Sequence, residues 1–453
     1  MTRISVIGTG YVGLVSGACF AEIGHSCTCV DIDAAKVARI NRGEAPIHEA
    51  GLAELLGRHV GKRLTATTDL ARAVRDSDIT FIAVGTPFDG ERIDLGFIRE
   101  AARQIGAALR DKDSYHVVVV KSTVVPGTTD GVVRPIIEQA SGRPAGAGFG
   151  LGMNPEFLTE GVAIEDFMHP DRIVIGGIDE RSLAVQREVY APFAGVPLIA
   201  TNNATAEMIK YASNSVLATL ISFSNEFARL CEGLGNIDVA DVMAGVHEAR
   251  YFTPTLADGR RVRAPIASFL WAGCGYGGSC LPKDTKALAA HGAAHGAPMP
   301  LLEAVIRTNL DQPQRMLDLL ERHFDSLAGR RVAVLGVAFK PDTDDVRESP
   351  AIPLMQALAA RGAHIVAFDP VARETARAVL PPGATLSARL EDAIEGADAL
   401  LVVTAWEDFR RLPGLLAGRA SQPLVIDGRR ILDKDRIARY EGIGLGAGEV
   451  RHP

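Results

Sequence analysis

Over its first part the chain alternates short apolar runs rich in β-branched residues with stretches of helical period. RISVIG (3–8), CTCVDID (27–33), ITFIAVG (79–85), HVVVVKST (116–123) and RIVIGG (172–177) are the runs, and such runs between helices predict a parallel sheet covered on both faces. From Asn202 the period lengthens. Met208, Ile209, Val216, Leu217, Leu220, Ile221, Phe227 and Leu230 recur at helical spacing, and no strand-like run appears before residue 330. The strand signature then returns in RRVAVLGVAFK (330–340), AHIVAFDP (363–370), DALLVVTAW (398–406) and PLVIDGR (423–429). The expected fold class is α/β, with two α/β domains joined by a long-helix central region.

With 453 residues, 47% of them hydrophobic and 23% charged, the chain can bury large cores without staples. A net charge of −7 without any basic block argues against a nucleic-acid partner. The apolar stretches at 117–120 and 221–230 are broken by Lys121, Asn225, Glu226 and Arg229, so no membrane association is expected. MTRISVIGTGYVG runs straight into a strand and a glycine turn, without the pattern of a secretory leader. Six cysteines (19, 27, 29, 231, 274 and 280) are too few for a disulfide scaffold and fit no metal module. A cytoplasmic protein without a metal is expected.

Gly8-Thr-Gly10-Tyr-Val-Gly13 follows a predicted strand and opens a helix, and Asp31 ends the next strand. Glycines there allow a tight turn and close approach to a pyrophosphate, whose charge the helix N-terminus receives. An acid at position 31 accepts ribose hydroxyls and repels a 2′-phosphate, so NAD is expected over NADP. Lys36 could relieve some of that repulsion or be an ordinary solvated charge. Val84-Gly85-Thr86-Pro87 closes another strand at the carboxyl edge, where such sheets bind ligands.

Asn154-Pro-Glu156-Phe-Leu-Thr-Glu160-Gly161 sets two carboxylates four residues apart, on one face if helical. Glu207, Lys210 and Asn214 fall at i, i+3 and i+7 of the central helix, either as a surface stripe or as a buried one that needs partners. The most specific stretch is Gly273-Cys274-Gly275-Tyr276-Gly277-Gly278-Ser279-Cys280-Leu281-Pro282-Lys283-Asp284. Four glycines clear space, and Pro282 suits the first turn of a helix. A thiol at a helix start with Lys283 nearby has the setting of a reactive thiolate, so Cys280 is expected to be the nucleophile and Cys274 packing.

These segments, together with VGTP, KSTVVPGT, DFMHPDRIVIG, EMIKYASNSVLA, FKPDTDDVRESP and DGRR, resemble the UDP-glucose/GDP-mannose dehydrogenase family over nearly the whole chain. The resemblance implies two Rossmann-like domains, 1–200 for NAD and 316–453 for the nucleotide sugar. Between them, 201–315 is implied to be helical, to carry the catalytic cysteine and to form a homodimer or higher homo-oligomer. It implies Thr123, Glu156, Lys210, Asn214 and Asp284 around the reacting carbon with Cys280. For substrate it adds Glu160, Phe269, Gly275, Lys340 and Arg429. For NAD it points to Gly8, Gly10, Tyr11, Val12, Gly13, Asp31, Lys36, Thr86, Thr123, Lys283 and Arg347.

The implied reaction is oxidation of the C6 hydroxyl of a nucleotide-diphosphate sugar to the uronate through a Cys280 thiohemiacetal and thioester. UDP-glucose is favoured, with TDP-glucose and GDP-mannose left open. Two positions depart from the family pattern. Ala264 stands where an arginine reaching the neighbouring subunit is usual, and Trp271 replaces an Asn or Lys. The rivals are a two-electron dehydrogenase of the 6-phosphogluconate or 3-hydroxyacyl type, which leaves Cys280 unexplained, and a non-catalytic NAD-binding protein.

Overall fold

The computed structural model describes residues 1–447 and divides into two compact units, Met1–Ser213 and Asn214–Pro453. In the first, an eight-stranded sheet forms from β1 (Arg3–Ile7), β2 (Ser26–Val30), β3 (Leu64–Thr67), β4 (Ile79–Ile82), β5 (Val117–Val120), β6 (Gly150–Met153), β7 (Ile173–Gly177) and β8 (Leu198–Thr201). Their order is β3-β2-β1-β4-β5-β6-β7-β8. The first six follow the dinucleotide-binding order, with apolar residues of β4 and β5 buried on both faces. One pairing departs from the parallel sheet expected: β6 and β7 run antiparallel, Gly152 opposite Gly177.

The second unit repeats the theme. β9 (Arg331–Leu335), β10 (His364–Phe368), β11 (Thr385–Leu386), β12 (Ala399–Val402), β13 (Leu424–Asp427) and β14 (Tyr440–Gly442) form a parallel sheet in the order β11-β10-β9-β12-β13-β14. The edge strands β3, β8, β11 and β14 went unmarked by the hydrophobic pattern because they are short and partly polar or exposed, and the interior strand β6 went unmarked because two of its four residues are glycine.

The long helix expected from residue 202 runs from Asn203 to Leu234, 32 residues, beginning in the first unit and ending in the second. Further helices at Val239–His247, Leu281–Ala294 and Pro300–Glu321 complete the helical middle. No helix among the described residues is long and apolar enough to cross a membrane.

Candidate active site

In the first unit Gly8 follows β1 with φ +101°, and a Cβ there would lie 2.5 Å from the carbonyl oxygen of Ala83, so only glycine makes this turn. Gly13 packs so closely on the Gly8 carbonyl that it too admits no side chain. Gly10, by contrast, faces open space and offers no side-chain cap to the helix Tyr11–Glu22. The turn therefore presents bare backbone at a helix start, which suits a pyrophosphate.

Asp31 follows β2 with its carboxylate mostly buried. Its Oδ2 accepts from the Thr9 amide at 3.1 Å, from the Thr9 hydroxyl and from Lys36 Nζ at 3.4 Å; Oδ1 accepts from the Asp33 amide at 3.0 Å. Burial pushes its pKa up, but these donors outweigh burial and hold it below the usual carboxylate value. Oδ1 is the less occupied oxygen and is free to take a ribose hydroxyl. Lys36 is thus engaged by Asp31 and is not a plain solvated charge.

Asp369 holds the matching place in the second sheet. Gly336 follows β9 with φ +94° as Gly8 follows β1, and Asp369 follows β10 as Asp31 follows β2. Its carboxylate is fully buried and accepts from the amides of Val337, Ala338, Val371 and Ala372 and from the Trp406 indole. Those bonds spend it on holding the fold, leaving the first sheet as the one fitted for a dinucleotide.

The NPEFLTEG segment is not helical, so Glu156 and Glu160 do not share a helix face; Pro155 restricts the backbone and the segment runs irregularly to the helix Ala163–Met168. Glu156 turns inward, and its Oε1 lies 3.2 Å from Lys210 Nζ with both side chains about 95% buried. Its Oε2 accepts from the Leu158 amide at 2.7 Å. Glu160 is half-buried.

The stripe Glu207, Lys210, Asn214 is buried, not surface-facing. Glu207 accepts from the amides of Gly127 and Thr129 and from the Thr129 hydroxyl, while burial pushes its pKa up to about 7. Thr123 is half-buried, and its carbonyl accepts from the Thr86 hydroxyl at 2.7 Å.

In the second unit Cys280 is the residue from which the helix Leu281–Ala294 starts, with Pro282 in its first turn. It is half-buried, whereas the other five cysteines are buried. Burial pushes the Cys19 and Cys29 thiols up to about 12 and raises Cys274 as well. The Lys283 ammonium, expected to act on the thiol, lies 2.5 Å from Asp284 Oδ1. Asp284 Oδ2 accepts from Asn214 Nδ2 at 2.6 Å, so this buried carboxylate ties Asn214 to the cysteine helix.

A cleft of about 690 Å3 in this unit is lined by Phe269, Trp271, Gly275, Arg410, Arg429 and Arg430, among others. Gly275 has φ +97°, and its carbonyl accepts from Arg429 Nη1 at 2.9 Å. Lys340 Nζ stands 5.8 Å from the Phe339 ring centre, and Arg347 is forked onto Asp345. Sequence reasoning passed over Lys121 and Glu49, both buried against the NPEFLTEG segment.

A glycine turn at a helix start followed by an acid with room for a ribose hydroxyl is the mark of an NAD-linked dehydrogenase. Comparison with known proteins narrows the class. Three family models match in order: the UDP-glucose/GDP-mannose dehydrogenase NAD binding domain over residues 2–194, the central domain over 204–311 and the UDP binding domain over 333–434. The UDP-glucose 6-dehydrogenase AglM of Haloferax volcanii is 46% identical over 446 residues, 97% of this chain and 100% of that protein. TuaD of Bacillus subtilis, also a UDP-glucose 6-dehydrogenase, is 43% identical over 100% of this chain and 94% of its own. The solved UDP-glucose dehydrogenase of Pyrobaculum islandicum superposes with a TM-score of 0.88 at 39% identity, covering 98% of each chain. This chain belongs to the UDP-glucose/GDP-mannose dehydrogenase family, and NAD is its cofactor.

Proposed function

We propose that this chain oxidises the C6 hydroxyl of UDP-glucose to the carboxylate in two steps on Cys280, giving UDP-glucuronate. The observation that carries the reading is Cys280 itself, a half-buried thiol at a helix start behind a glycine run in a family that oxidises nucleotide sugars. NAD, bound at Gly8, Gly10, Tyr11, Val12, Gly13, Asp31, Lys36, Thr86, Thr123, Lys283 and Arg347, supplies the hydride acceptor, two molecules per sugar.

In the first oxidation Lys210, or a water held by Asp284 and Thr123, takes the hydroxyl proton as C6 becomes an aldehyde. The Cys280 thiolate adds to that aldehyde, and the resulting thiohemiacetal is oxidised to a thioester. Lys210 and Asn214 hydrogen-bond the oxyanions at C6. Glu156 then takes a proton from water, whose oxygen attacks the thioester carbon and expels the thiolate.

Residues 1–200 serve NAD, 201–315 carry Cys280 and 316–453 take the nucleotide. Phe269, Gly275 and Arg429 line the cleft proposed for the UDP moiety, with Glu160 and Lys340 adding substrate contacts. UDP is favoured over GDP because the UDP-glucose enzymes AglM and TuaD match over almost the whole chain, against 81% of it for the 40% identical GDP-mannose 6-dehydrogenase of Pseudomonas aeruginosa.

The active species is a homodimer or higher homo-oligomer. Val216, Phe223, Phe227, Leu230 and Leu234 are exposed at the 7-4-3-4 spacing of a helix-pairing seam. Cysteines kept as thiols, not disulfides, suit the cytoplasm. Counting NADH per sugar across UDP-, TDP- and GDP-sugars tests the reaction: two per UDP-glucose is expected, whereas one, or none, overturns it. Iodoacetamide should inactivate by labelling residue 280, with bound UDP-glucose protecting it.

A further inference from the structure

The Asn154–Gly161 segment has no regular structure of its own, so its backbone must find partners elsewhere. Two buried charged side chains hold it, one at each end: Lys121 through the Asn154 side chain and Glu49 through backbone amides. At the start, Lys121, the residue after β5, donates to Asn154 Oδ1 at 2.8 Å; the same oxygen accepts from the Tyr190 hydroxyl at 2.5 Å, and Asn154 Nδ2 donates to the Val174 carbonyl at 2.8 Å. At the end, Glu49 accepts from the amides of Gly161 and Ala163, each at 2.8 Å. Lys121 is 3% exposed and Glu49 7%. Neutral residues of similar size would avoid the cost of burying these charges.

We infer that Lys121 and Glu49 are positioning residues for catalysis, clamping the two ends of the segment so that Glu156 meets Lys210. The inference rests on the function proposed above. Lys121 shares the Asn154 oxygen with the Tyr190 hydroxyl, feels the charges of Glu156 and Lys210 and the Cys19 thiol, and has the Phe167 ring at 6.0 Å. Burial lowers its pKa to about 8; Glu156 opposes that shift and Lys210 adds to it.

Lys121→Met and Glu49→Gln, made in the full chain, test this by two routes. Hydrogen exchange of amides 158–163 should quicken by about tenfold in both variants, with the rest of the first unit unchanged. In steady state kcat should fall by about a hundredfold, as misplacement of a reacting group does, while KM for UDP-glucose and Kd for NAD stay within about twofold.

If Lys121→Met does not fold, Glu49→Gln decides, because it removes charge and keeps size. Wild-type exchange and kcat in a folded variant overturn the inference, as does NAD affinity lost in step with kcat. The exchange result is independent of which sugar the wild type oxidises, so an inactive wild type sinks the proposed reaction and leaves the clamp to be judged by exchange.

Discussion

Lys210 Nζ lies 3.2 Å from Glu156 Oε1, and each side chain is all but sealed from water. Breaking such a pair by removing one partner costs about 3–5 kcal/mol, because the survivor is left charged and buried. Substitutions that keep the shape are therefore the informative ones. Glu156→Gln retains a carbonyl oxygen toward Lys210 but cannot take a proton from water. Hydrolysis of the thioester should slow by about 10²- to 10⁴-fold, the usual worth of a positioned base. The acyl-enzyme should then accumulate, and intact mass spectrometry after mixing with UDP-glucose and NAD should show the added mass on Cys280. A turnover rate unchanged from wild type would remove Glu156 from the base's role.

Asp31 is the residue expected to set the cofactor preference. Its carboxylate is held ionised by Thr9, Asp33 and Lys36, so a 2′-phosphate would meet a fixed negative charge. Asp31→Ala should weaken NAD by about tenfold and narrow the gap to NADP, with Lys36 released to attract the phosphate. Comparing kcat/KM for the two cofactors in wild type and variant checks it; equal use of both by the wild type would refute the assignment.

Much of this was legible in the chain, and the reasons differ by residue. Runs such as VVVV at 117–120 announce themselves because both faces are buried, and GTGYVG is readable because only glycine tolerates the Gly8 turn. Cys280 was marked by its glycines and by Pro282, which are local signals. Lys121 and Glu49 were not, since the contacts that give them meaning lie 33 and 112 residues away. The same holds for Asp369: AHIVAFDP matches CTCVDID as a pattern, and only the five donors around the carboxylate distinguish its use from that of Asp31. The antiparallel pairing of β6 and β7 went unseen because β6, GLGM at 150–153, is short and half glycine and so gives no strand signal of its own.

The first unit should lose stability in acid through His116. This residue is buried just before β5, its Nδ1 at 3.1 Å from Lys112 Nζ and its Nε2 at 2.8 Å from the Thr80 hydroxyl. Burial, and then the Lys112 charge, lower its pKa to about 3. An unfolded histidine titrates near 6.5, so between these values the unfolded chain binds the extra proton and stability falls as pH falls. At pH 5 the deficit relative to neutrality is about 2 kcal/mol. His116→Gln should lower stability at neutral pH yet flatten its decline from pH 7 to 5, measured by chemical unfolding of both proteins. A parallel decline in the two would exclude His116 as the source.

Trp271 offers a direct optical test of the cleft proposed for the nucleotide. The chain has two tryptophans. Trp406 is buried with its indole donating to Asp369 at 3.2 Å, so a ligand in the cleft cannot stack on it. Trp271 is 36% exposed on the cleft wall, and the His247 ring braces it edge-on at 4.5 Å between centres. A base entering beside Arg429 and Arg430 has this indole to stack on, an arrangement worth about 1–3 kcal/mol per base. UDP alone, without NAD, should quench the emission with a saturable dependence. Trp271→Phe should abolish the quench while keeping a ring, so UDP affinity by calorimetry should fall less than about fivefold. Trp271→Asn removes the platform, and affinity should then drop by about tenfold or more. Quenching that persists in Trp271→Phe would assign the signal to Trp406 and place the nucleotide somewhere other than this cleft.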